Sequence, residues 1–381
     1  MLAVLAALLT AALLLIPEDW FLGSVGGPRT PTPHNTTRVR STVLEVDNSG
    51  VLQFGIVKTG DQGVTVRIER GEYQSQTVEA NNLLLGDMGL DKIFAPGDQA
   101  LVTLTYHPDS GEIIDAVAVD HYRLHIETWL IAIFVILLVL FAGWTGAKAM
   151  FSFIFAAVLI WKVLLPAFLA GWNPILTAFL VVTVLTFVII FLVGGLNLRG
   201  LVGVLGAMTG VGLTAGLAIY FGHLMKLHGA VRPFAETLLY SGYGHLELTS
   251  IFIAGIFLAS SGAVMDIGMD IAASMAEVKA KRPDIGLLEL VGSGMTVGRA
   301  VIGTMTTTLL LAYSGGYTTL LMVFMAQGTP AMNILNFNYV AAEILHTLVG
   351  TFGLVLVAPA TALIGGAVYT RLGSRGRDRG R

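Results

Sequence analysis

About seven apolar runs, each near the length that crosses a bilayer, crowd the chain between residues 126 and 369 and decide what it can fold into. They fall near 126–144, 149–169, 174–194, 199–222, 248–268, 297–327 and 341–369. A run of ~18 or more apolar residues with few charges has the length of a transmembrane helix. A further run, Leu2 to Ile16, ends at Pro17-Glu18-Asp19. No Lys or Arg precedes it and no Ala-x-Ala site follows, so residues 1–16 are expected to form an uncleaved signal anchor. The total is about eight spans.

Composition narrows the partners. The chain is 55% hydrophobic and only 12% charged, against about a quarter charged in soluble proteins. Its net charge of -3, with basic residues dispersed among loops, argues against nucleic acid and for the lipid bilayer as the main partner. There is no cysteine, which removes thiolate nucleophiles, disulfides and Cys-ligated zinc or iron–sulfur sites. No nucleophile–base–oxyanion set is legible, so neither an enzyme nor a bound cofactor is expected.

Residues 17–125 differ in kind. Residues 17–37 are Gly/Pro/Thr-rich and read as a linker. Within 38–125, short runs at 40–46, 51–59, 63–68, 76–79, 99–106 and 113–119 carry strand signals. Turn signals separate them at Asp47–Gly50, Asp61-Gln62-Gly63, Pro96-Gly97-Asp98 and Pro108–Gly111. VTVRIER and LVTLTYH alternate with period two, as half-buried strands do. The expected fold is therefore a polytopic α-helical membrane protein with a small all-β, OB-like extracytoplasmic domain after the first helix. That domain either binds a ligand or protein or serves as a spacer.

Lys148, Arg199, Lys279, Lys281, Arg282 and Arg299 fall in alternate segments, together with the arginines of the 371–381 tail. The positive-inside rule then puts both termini in the cytoplasm and the β domain outside. The basic tail is an anchor to that side.

Polar residues inside the apolar runs mark a candidate site, because each is costly there. Asp266 and Asp270 are spaced i, i+4 on one helical face, where like charges need a proton, a cation or an arginine between them. Arg299 arrives on the next span, followed by Thr304, Thr306, Thr307 and Thr308, and Ser261 lies about a turn before Asp266. Two readings stand: a cation or proton site at the inner mouth of a pathway, or a solvated helix end. Residues 283–295 read as a short amphipathic helix lying at the inner surface. The run from Thr296 to Met325 exceeds a bilayer's thickness, so it tilts or breaks at Ser314-Gly315-Gly316. Glu343 and His346, at i, i+3, have no second such pair to make a metal site; a structural hydrogen bond or a proton relay is expected. His121, His125, His223, His228 and His245 gather near one membrane face; convergence would mean a metal or pH sensor. Gly206–Gly210 and Gly212–Gly216 are GxxxG pairs for helix packing.

Three stretches, SGAVMDIGMDIAASMAEV, GRAVIGTMTTTLLLAYSGG and AAEILHTLVGTFGLVLVAPATALI, together with GDQALVTL and HYRL, resemble the bacterial YibE/F-like family of multi-pass membrane proteins over about residues 40 to 370. Two positions depart from that pattern: Thr307 stands where relatives often carry Asn, and His346 where they often carry Arg. The resemblance implies the bacterial cytoplasmic membrane and no particular substrate. The leading expectation is a permease-like transporter of a small solute or ion. Its site is formed by Asp266, Asp270, Arg299, Thr304, Thr307, Thr308, Ser261, Glu343 and His346. The alternative is an envelope sensor or assembly scaffold anchored by the bundle.

Overall fold

The computed structural model describes residues 10–13, 15 and 35–375, with side chains to residue 371. Most of the 1–16 anchor, most of the 17–37 linker and most of the 371–381 tail lie outside the described residues. The chain divides between Leu137 and Leu138 into two compact units.

The first unit is built on six strands, β1 (Thr36–Asp47), β2 (Val51–Phe54), β3 (Val57–Ile68), β4 (Thr77–Leu85), β5 (Gln99–Tyr106) and β6 (Ile113–His121). The order β1-β5-β6-β4-β3-β2 closes on itself because β1 also pairs with β3. The neighbours are antiparallel except β4 and β6, whose one paired position is Asn81 opposite Val117. The period-two pattern turns Val64, Val66 and Ile68 inward from β3, and Ala100, Val102 and Leu104 inward from β5. Phe94, from the β4–β5 connection, plugs this core at 1% exposure.

One turn expectation fails. Asp61-Gln62-Gly63 does not interrupt the chain, and β3 runs through it. The reversal falls instead at Gly55-Ile56, where Gly55 adopts φ 63°, a left-handed conformation that glycine enters without penalty.

The second unit is helical. Its long helices are α1 (Leu124–Leu169, starting in the first unit), α2 (Pro174–Gly194), α3 (Leu198–Leu224), α5 (Leu248–Lys281), α6 (Leu287–Ser314) and α9 (Asn338–Arg375). Short helices α4 (Ala235–Tyr240), α7 (Thr318–Ala326) and α8 (Ala331–Asn336) fall between them. Among the described residues, six helical stretches are long and apolar enough to cross a membrane, against the eight spans expected. The difference has identifiable sources. The N-terminal run lies mostly outside the described residues. The first two expected spans are counted as one stretch, although Gly143 breaks it (φ 56°, ψ -133°) and the chain turns so sharply that a Cβ on Gly146 would overlap the Leu138 carbonyl. A π-helical turn, Ile160–Leu164, precedes Pro166, whose ring would otherwise clash with the carbonyl four residues back.

The separate amphipathic helix expected at 283–295 is instead the first part of α6. Gly294 and Gly298 do not end it because they pack there: a Cβ on Gly298 would sit 2.8 Å from the Ala358 methyl. At Gly315–Tyr317 the helix tightens to a 3-10 turn and continues as α7, without a wide break.

The bundle core centres on α3, α5 and α9. A Cβ on Gly206 would overlap Thr361, and one on Gly210 would lie 2.8 Å from both Val264 and Val357. Gly216 has open space around it. Only the first GxxxG pair therefore brings backbones together. Gly206→Leu is expected to destabilise the bundle by ~1–3 kcal/mol through overpacking, and Gly216→Leu by less than ~0.5 kcal/mol. Thermal unfolding of both variants in one detergent checks this.

Candidate functional site

A cluster of an arginine, a glutamate and a histidine forms where the α3–α5 connection meets the start of α9 and the end of α6. A 3-10 turn, Gly229–Val231, presents Arg232. Gly229 is required there, since any side chain would drive into the Leu248 carbonyl at the start of α5. Two residues beyond Arg232, Phe234 holds φ 62°. For a bulky aromatic residue this is a strained conformation, kept only when surrounding contacts impose it.

Both terminal nitrogens of the Arg232 guanidinium are engaged. One terminal nitrogen donates to the Tyr317 hydroxyl at 2.9 Å and lies 3.5 Å from a Glu343 carboxylate oxygen. The other lies 3.1 Å from His346 Nδ1, and the Phe252 ring is 5.1 Å from the guanidinium carbon. Glu343 and His346 are each 8% exposed and stand 3.7 Å apart, Oε2 to Nδ1, as their i, i+3 spacing on α9 allows. The Tyr313 ring stacks on the His346 imidazole, with centroids 4.2 Å apart.

This geometry assigns the histidine tautomer. Arginine only donates, so Nδ1 accepts and the ring proton sits on Nε2. His346 Nε2 is buried without a hydrogen-bond partner among the described residues, and so is the Tyr313 hydroxyl. Each unmet buried polar atom costs about 1–3 kcal/mol. Two cavities with mostly apolar walls border the cluster. Glu343, Tyr317, Ser314 and Thr347 help to line one of about 220 Å³. Arg232, His346, Phe234 and Phe252 help to line the other, of about 550 Å³.

Of the residues expected to form the site, Glu343 and His346 enter this cluster. Ser261 is buried elsewhere on α5 and donates to the Leu258 carbonyl. Asp266 and Asp270 lie on one outward face of α5, and Arg299, Thr304, Thr307 and Thr308 are exposed on α6. Among the described residues no ion pair joins Arg299 to either carboxylate. Thr304 and Thr308 donate to their own helix at the Val301 and Thr304 carbonyls. The histidines do not converge: among the described residues no group of three His, Asp or Glu could hold a metal. His121 packs at a tilt against Phe94, His125 stacks on Tyr122, and His245 lies 3.2 Å from the Leu169 carbonyl.

Sequence reasoning did not single out Arg232, Tyr313 or Tyr317. The two tyrosines flank Ser314-Gly315-Gly316 at i, i+4, so they share a helical face, which was a usable signal. For Arg232 there was none, because one arginine in a connecting segment looks like any solvated charge.

A helical bundle with several membrane-length apolar helices, preceded in the chain by a β-barrel-like domain, defines a polytopic membrane protein. The family model for YibE/F-like proteins matches residues 130–371, and the chain belongs to that family. No curated protein and no solved structure matches it.

Proposed function

We propose that the bundle is a permease-like transporter of the bacterial cytoplasmic membrane that moves a proton, alone or with a small solute. Its polar site is the Arg232–Glu343–His346 cluster. One observation carries this: a carboxylate, an imidazole and a guanidinium touch one another among apolar helices, with an unpartnered imidazole N–H and two cavities at the same place. Ionisable groups held at such a cost in a membrane bundle mark ion and proton paths. Protonating Glu343 would release Arg232 from its ion pair, which couples the proton to whatever the guanidinium next holds. With the positive-inside orientation, both termini are cytoplasmic and the site opens first to the outside.

The experiment is proton flux into proteoliposomes of the full chain, read by an enclosed pH-sensitive dye. Flux above protein-free vesicles, lowered at least tenfold by both Glu343→Gln and His346→Ala, supports the proposal. Flux equal to that of empty vesicles removes the permease. The strand pairing of the β domain supports the OB-type reading, with β2 as an added hairpin arm. A second reading, an envelope sensor or scaffold, is favoured by the arginine-lined cavity of that domain.

A further inference from the structure

The β-domain cavity, of about 610 Å³, is within the usual range for small-ligand sites. Arg38, Arg40 and Arg70 line it together with Tyr73, Tyr106 and Tyr122. Arg38 and Arg40 are two apart on β1, so they share one face of the strand, while Val39 between them points into the core. Arg70 comes from the turn after β3.

Arg40 is held in place by its Nε alone. That nitrogen is 2.7 Å from Glu69 Oε2 and 2.9 Å from Gln99 Oε1. Thr42 closes the ring of contacts, donating to Glu69 and accepting from the Gln99 amide at 2.9 Å. The guanidinium carbon lies 5.2 Å from the Tyr122 ring centroid. Neither terminal nitrogen of Arg40 is hydrogen-bonded to any described residue, and Arg38 and Arg70, both exposed, have no ion-pair partner among them. An arginine whose stem is fixed and whose fork is unspent is arranged to grip a planar oxyanion with two parallel bonds. The Thr42 hydroxyl bond also holds the Glu69 carboxyl below the usual carboxylate range, so the brace on Arg40 survives mild acid.

Charge and shape narrow the ligand. Arginines outnumber carboxylates here, with Arg38, Arg40 and Arg70 at the cavity and Arg67 acting on Glu69 from beside it, against Glu69 and Glu72; an anion is favoured, and a planar carboxylate matches the flat Arg40 fork. Tyr73 is buried and Tyr122 already packs against the Arg40 guanidinium and the His125 ring, so part-exposed Tyr106 is the flat, amphipathic wall left for the face of a sugar ring. We infer that this cavity binds a carboxylate-bearing saccharide, with the Arg40 fork on the carboxylate and Arg38 and Arg70 adding charge. The inference is independent of proton movement through the bundle, and its test reads binding rather than flux.

The test is calorimetric titration of the full chain in lipid nanodiscs at low salt, using glucuronate, glucose and inorganic phosphate as probes. Glucuronate should bind at least tenfold more tightly than glucose and more tightly than phosphate. Arg40→Ala should weaken it at least tenfold. Because Arg40→Ala strands Glu69, the double variant Arg38→Ala with Arg70→Ala, which breaks no internal bond, serves as the second probe and should weaken binding severalfold. Lys58→Ala, outside the cavity on β3, should leave it unchanged. Equal affinity for glucose and glucuronate, tighter binding of phosphate, absence of glucuronate binding, or full affinity in the double variant each overturns the assignment.

Discussion

Glu343→Ala is expected to lower the stability of the bundle by ~2–3 kcal/mol, more than truncation of a solvated carboxylate would. Breaking a buried pair by removing one partner usually costs ~3–5 kcal/mol, because the other charge is left uncompensated. The Arg232 side chain is 32% exposed, so water and headgroups recover part of that cost. Losing the carboxylate leaves the guanidinium facing Tyr317, His346 and the Phe252 ring, none of which is an anion. Replacing both partners, Arg232→Met with Glu343→Met, removes the charge together with its counter-charge and is expected to recover most of the loss. Thermal unfolding of the single and double variants in one detergent forms the cycle. If the double variant were as unstable as the sum of the singles, the two side chains would not be coupled.

Apolar runs gave away the bundle because length alone commits such segments. They did not give away which face of each helix points inward. In lipid the surroundings are as apolar as leucine, so hydrophobicity does not separate inside from outside. On α5 the bulky residues Ile253, Ile256, Phe257, Val264, Ile267 and Ile271 are buried. Gly255, Ala259, Gly262, Asp266 and Asp270 look outward. The periodicity that put Asp266 and Asp270 on one face was readable; the direction of that face was set by α3 and α9, far away in sequence. Glu343 and His346 were readable because their partner on α9 is only three residues away. Arg232 was not, because its polar partners lie 85 to 114 residues further on.

In the β domain, what sequence misplaced as a turn is expected to be the most sensitive polar position. Gln62 is fully buried, and its amide uses its whole bonding capacity. The nitrogen donates to Asn48 Oδ1 at 2.8 Å and to the Phe94 carbonyl at 3.0 Å. The oxygen accepts from the Phe94 N–H and from the Asn82 side chain, both at 3.0 Å. These bonds carry β3 through a polar stretch that would otherwise favour a turn, and they hold Phe94 in the barrel. Gln62→Leu preserves volume but strands the Phe94 N–H and carbonyl, together with one N–H of Asn82, a residue 1% exposed whose other N–H still donates to the Lys92 carbonyl. At about 1–3 kcal/mol for each stranded group, partly met by entering water, the expected loss is ~3–5 kcal/mol. Small domains have ~5–15 kcal/mol in total, so hydrogen exchange of the full chain should show faster exchange in the peptides covering 92–98 and throughout β3. Exchange confined to wild-type rates in those peptides would mean that Phe94 is held by apolar packing alone, with the Gln62 amide adding nothing to its anchorage.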